Sequence, residues 1–136
     1  MKSRLRFEVI TVALVLAFLV SCQPLENTAR DTIAGAKGFI EQAQRNHHDE
    51  CVANPTKAFP CQAINRAVGA QNILVDALEI YCGWTKDTPQ ATSCHADKSK
   101  GTQLQAAVAN LNEVLIHYRM AAQDAAAEQA AKGKKP

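Results

Sequence analysis

A chain of 136 residues, 47% hydrophobic and 21% charged, is enough for one small domain with a modest core. Its 15 basic and 13 acidic residues give a net charge of +2, but Lys2, Arg4, Arg6 and Glu8 all lie in the first eight positions, and without them twelve of each sign remain. The body of the chain is therefore near neutral and offers no electrostatic footprint for nucleic acid.

In chain order, Lys2, Arg4 and Arg6 form a basic opening, followed by the mostly apolar run Val9–Val20. Twelve residues are too few for a membrane-spanning helix, which needs about 20 apolar residues to cross a ~30 Å hydrocarbon core. A basic opening, a short apolar run and a small residue after it have the anatomy of an export signal. Leu19-Val20-Ser21-Cys22 at its end resembles the lipobox of bacterial lipoprotein precursors. The resemblance covers the first 22 residues. It implies a signal over 1–21 that is cut away, and a lipid-modified Cys22 as the first mature residue. Several acyl chains at ~0.8 kcal/mol per buried CH₂ anchor stably. It also implies a location outside the cytoplasm. In many Gram-negative bacteria lipoproteins kept in the inner membrane carry Asp after the cysteine, so Gln23 points to the periplasmic face of the outer membrane. A short tether over 22–27 then leads into a domain over 28–131, with a basic tail over 132–136.

Three segments repeat apolar residues at helical spacing. The first, about 28–48, places Ala29, Ile33, Ala36, Ile40, Ala43 and His47 alternately four and three apart, with Thr28 and Asp31 as a variant capping box. The second, about 62–82, carries the stripe Ile64, Ala67, Val68, Gln71, Leu74, Val75, Leu78 and Tyr81, with Gly83 placed to end it. The third, about 102–130, opens on Thr102 and Gln105 as a capping box and continues through Leu104, Val108, Leu111, Leu115, Tyr118, Ala122 and Ala125. No useful length alternates with period two, and Pro55, Pro60 and Pro89 fall between the stripes. The expected fold is all-α, an antiparallel three-helix bundle.

Setting Cys22 aside leaves Cys51, Cys61, Cys82 and Cys94, an even number that in a small exported domain implies two disulfides. The second helix would be about 30 Å long, whereas bridged Cα atoms lie within about 7 Å. Crossed pairings would have to span that helix, so Cys51–Cys61 and Cys82–Cys94 are expected, one at each end.

For chemistry, His47-His48-Asp49-Glu50-Cys51 gathers metal-ligand residue types. Neighbours on a helix diverge by about 100°, however, and Cys51 is committed to a disulfide, so no metal site is assigned. His47 and His48 suit a helix C-terminus, where the dipole favours cations. His117 would share their height if helices one and three run parallel. These three histidines are the metal candidates. Neither serine of the domain, Ser93 or Ser99, lies in nucleophile-elbow surroundings, and there is no phosphate loop or His-Glu-x-x-His. No catalytic residue and no cofactor beyond the covalent lipid is expected, hence no enzyme. Trp84, in a disulfide loop, is either a partner-binding anchor or a plug over the end of the core. The leading expectation is a membrane-anchored, non-enzymatic helical module that binds or escorts another envelope protein. A metal- or ligand-binding sensor using the histidines is one alternative. An inhibitor or immunity protein using the Trp84 loop is the other.

Overall fold

Pro24, with its ring-fixed φ of −53°, precedes helix α1, Leu25–Asn46. A computed structural model describes residues 24–85 and 93–133 of the chain. Cys22 and the signal lie outside those residues. α1 begins three residues before the expected start: the Pro24 carbonyl accepts from the Asn27 and Thr28 amides, at 2.8 and 3.3 Å. Thr28 is consequently no cap. Its carbonyl accepts the Thr32 hydroxyl at 2.7 Å, and the first turn is instead held by Glu26 with Arg30, 2.8 Å apart. The gain that draws the chain into helix early is Leu25, which packs against the main core. The domain therefore reaches closer to Cys22 than a tether over 22–27 would allow.

At His47 the backbone leaves the helix (φ −118°, ψ 15°), and the chain restarts as α2, His48–Ala53. The segment Ala58–Gln62 contains an extended Phe59 (φ −126°, ψ 133°) and a cis Phe59–Pro60 bond, and leads into α3, Ala63–Cys82. Gly83 ends α3 in the left-handed conformation (φ 68°, ψ 24°), which costs a residue with a Cβ about 1–2 kcal/mol. Gly83→Ala should lower unfolding free energy by about 1 kcal/mol in urea titration. A 3₁₀ turn, Lys98–Lys100, feeds α4, Gly101–Lys132, without a break. Thr102 therefore lies inside the helix and caps nothing. Asp97 does that work one turn earlier, accepting from the Ser99 amide at 2.9 Å and its hydroxyl at 2.6 Å.

Among the described residues there is no strand, and α1, α3 and α4 form the expected antiparallel bundle. α3 packs most extensively on α4, and α1 lies against both. At one end Gly101 faces Leu25 and Tyr81, while Asp97 and His95 donate backbone bonds to the Tyr81 and Cys82 carbonyls at 2.8 and 3.2 Å. At the other end Phe39, Phe59 and Tyr118 close a smaller apolar cluster with Ile64. Leu74, Leu104 and Leu111 form the fully buried centre. Six of the thirteen buried residues of the main cluster are alanines, so the core buries little apolar area for its length.

The disulfides are Cys51–Cys61 and Cys82–Cys94, with Cα separations of 5.3 and 4.5 Å. They close the two ends of the bundle, as the spacing requires. Among the described residues no helix is long and apolar enough to cross a membrane.

Candidate functional site

A three-helix bundle in which α1 covers one side of the α3–α4 pair leaves the other side without a helix. That side is a trough. At its aromatic end it forms a groove of about 460 Å³ bounded by Phe59, Ala63 and Arg66 on one rim and Glu113, Val114 and His117 on the other. Residues seven apart on a helix share a row, so the row of Arg66 continues through Ile73 and Ile80. Both isoleucines are open to solvent, at 56% and 49% exposure. Ala70, Ala77 and Ala107 are buried members of the main core. Two large β-branched side chains thus stand exposed one above the other on this row, with the exposed Asp76 between them in sequence.

Tyr118 anchors the aromatic end. Its ring meets Phe39 edge-on with centroids 5.0 Å apart and Phe59 at 5.2 Å. Burial raises its phenol above the ordinary tyrosine value, so this hydroxyl stays neutral at any physiological pH.

The sequence-predicted histidines do not converge. His47 faces a hollow shared with Glu50 and Lys57, His48 lies on the far side beside Gln44, and His117 stands on the groove rim. His47 Nδ1 is 3.3 Å from Glu50 Oε2, and His117 Nε2 is 3.7 Å from Glu113 Oε1. Among the described residues, three potential ligand atoms come close together only at Glu26, Cys82 and Cys94. Those two sulfurs are bonded to each other, which leaves no thiolate to bind a metal.

Glu50 is the electrostatic centre of the Cys51–Cys61 end. A hydrogen bond from Lys57 lowers its carboxyl below the usual value, and His47 adds a smaller contribution in the same direction. A lowered folded value means stability is present above the unfolded value and is lost as pH falls through the folded one. Stability should accordingly decline in acid below about pH 4.5. Glu50→Gln should flatten that decline in denaturant titrations run between about pH 5 and 3.

Trp84 is inside. The indole is 8% exposed and belongs to the main core, with the Arg30 guanidinium 4.6 Å from its ring centroid. Left-handed Gly83 turns the chain back over the end of α3, and the Trp84 amide bonds the Glu79 carbonyl at 2.9 Å. The disulfide loop therefore folds the ring inward as a plug and does not present it to a partner.

α4 runs ten residues past Ala122, and its last turns carry Ala125, Glu128 and Lys132 along the hollow beside Glu50 and Lys57. Lys132 bonds Glu128 at 2.6 Å.

The residues that form the trough, Ile73 and Ile80 above all, fall outside the apolar stripe of their helix. Their seven-residue spacing as a second apolar row was the available signal.

Comparison of the chain with family models, with curated proteins and with solved structures gives no match.

Proposed function

We propose that this protein is a bacterial envelope lipoprotein, tethered through lipid on Cys22, whose helical domain binds another envelope protein without catalysing a reaction. The observation that carries the docking role is the open α3–α4 face, where a groove lies between Arg66 and Glu113 and Ile73 and Ile80 stand exposed further along α3. The lipobox-like Leu19-Val20-Ser21-Cys22 supports the tether. Only Gln23 and Pro24 lie between Cys22 and α1, so a lipid there would hold the bundle within a few residues of the bilayer. Phe39 lies fourteen residues along α1 from Leu25, about 20 Å at 1.5 Å per residue, so the aromatic end of the trough is set back from the anchor. The surface offered is apolar with charged rims, the anatomy of a protein-binding patch.

Expression of the full chain in a bacterium fed labelled palmitate tests both parts. The chain should take up label, Cys22→Ser should not, and a stoichiometric envelope protein should co-purify in detergent. Ile73→Asp should lose that protein while keeping label and fold. Absence of label on the unaltered chain would remove the anchor, and indifference of the partner to Ile73→Asp would remove the docking face.

A further inference from the structure

We infer that Cys51–Cys61 is a site of thiol–disulfide exchange, opened by a dithiol reductant that attacks Cys51, whereas Cys82–Cys94 is a permanent staple. The inference is independent of the docking role. It comes from the different surroundings of the two cross-links, one at each end of α3.

Access comes first. Both cysteines of the first pair line an open hollow of about 430 Å³, with Gln44, His48 and Asn65 among its other walls. Cys51 is half-buried on α2, whereas Cys61 is only 2% exposed. In exchange a thiolate attacks one sulfur and the other leaves. The reachable sulfur is Cys51, so the departing one is Cys61.

Charge separates the two pairs. Apart from the cysteines, His48 is the one ionisable wall of the hollow, and an imidazole is neutral or cationic. Asp49 and Glu50 precede Cys51, but neither lines the hollow, and Glu50 is drawn instead to Lys57 and His47. Cys61 lies two residues before α3, at the end where the helix dipole favours the negative charge gained by the leaving sulfur. The second pair has the opposite setting. Cys82 is the last residue of α3, where the dipole disfavours an anion, and it is completely buried. Cys94 is half-buried like Cys51, so access alone does not protect this pair. Glu26 does more, with a carboxylate oxygen within 4.8 Å of both sulfurs, where it repels an arriving thiolate. Arg30 pairs with Glu26, and the Glu26→Gln variant below measures the charge that remains.

The step balances. One thiolate of the dithiol bonds to Cys51 Sγ, the Cys51–Cys61 bond breaks, and its electron pair leaves on Cys61 Sγ. The second thiolate of the dithiol then displaces Cys51. The dithiol ends as a disulfide, two electrons poorer, and its two protons pass to Cys51 and Cys61. The structural change is local. α2 has no buried residue, and α1, α3 and α4 pack on one another without it. Reduction therefore frees α2 and leaves the bundle standing.

Dithiothreitol is the probe, added in excess to the detergent-purified full chain at neutral pH, with timed iodoacetamide quenching and peptide mass spectrometry. Cys51 and Cys61 should be alkylated about tenfold sooner than Cys82 and Cys94, or earlier still. With glutathione the first adduct should form on Cys51. Glu26→Gln should speed the opening of Cys82–Cys94 about threefold and leave the rate at Cys51–Cys61 unchanged. Circular dichroism should show the partly reduced chain still helical. In cells expressing the full chain, acid quenching and alkylation should find part of the population free at Cys51 and Cys61 with Cys82 and Cys94 still bonded. Equal rates at the two pairs, a first glutathione adduct on Cys61, or both pairs in the same state in cells would overturn the exchange site. A Glu26→Gln rate equal to the parent's would overturn the electrostatic guard, and loss of helix on partial reduction would overturn the local release of α2.

Discussion

Removing the Cys82–Cys94 cross-link, as C82A with C94A, should lower the melting temperature by about 10–20 °C. That follows from a loss of roughly 2–4 kcal/mol in a domain of about 100 residues. Two effects combine. The cross-link shortens the unfolded chain's loop, and Cys82 is itself completely buried beneath the core. It also holds the strap that follows, in which the His95 and Asp97 amides bond the last carbonyls of α3. Cys51–Cys61 closes a comparable loop but joins α2, which has no buried residue, to the segment just before α3. C51A with C61A should therefore cost less than the other pair. Thermal melts followed by circular dichroism, with and without reductant, measure both. A wild-type curve unmoved by reductant would show that the alanine-rich core suffices alone.

Leu111→Ala should be the most damaging single substitution on α4, at about 2–5 kcal/mol by urea titration. Leu111 is fully buried and shares the centre of the bundle with Leu74 and Leu104. With alanines making up so much of the remaining core, few larger neighbours can move in to fill the space. Ile116, five residues further on and 55% exposed, is the control. Ile116→Ala should stay within about 0.5 kcal/mol of the parent protein. Equal effects at the two positions would mean that α4 is not packed by the face described.

The difference between those two residues was legible in the sequence, because the four-three rhythm of Leu104, Val108, Leu111, Leu115 and Tyr118 marks the inner face and Ile116 falls off it. The same rhythm identified all three long helices, and the length of α3 alone determined which cysteines could pair. Capping was less legible. Thr28 and Thr102 have the right residue types at the right spacing, yet Pro24 and the Asp97 turn start each helix earlier, through backbone geometry that no side-chain pattern announces. The break at His47 and the six-residue α2 were also hidden, since a short segment without buried residues leaves no periodic signal. The trough was missed for a different reason. A second apolar row on α3, Ile73 and Ile80, carries meaning only once it is known which side of the α3–α4 pair α1 covers. Trp84 was equally readable as anchor or plug until the direction of the chain after Gly83 was known.

The most direct test of a tethered docking module is site-specific photocrosslinking in intact cells expressing the full chain. The crosslinking residue is placed at Ile73 in the trough, or at Lys37, an exposed position on α1. A discrete adduct to one envelope protein from position 73, absent from position 37 and lost when Cys22 is serine, is the expected result. Adducts of the same pattern from both positions, or none from position 73, would contradict it.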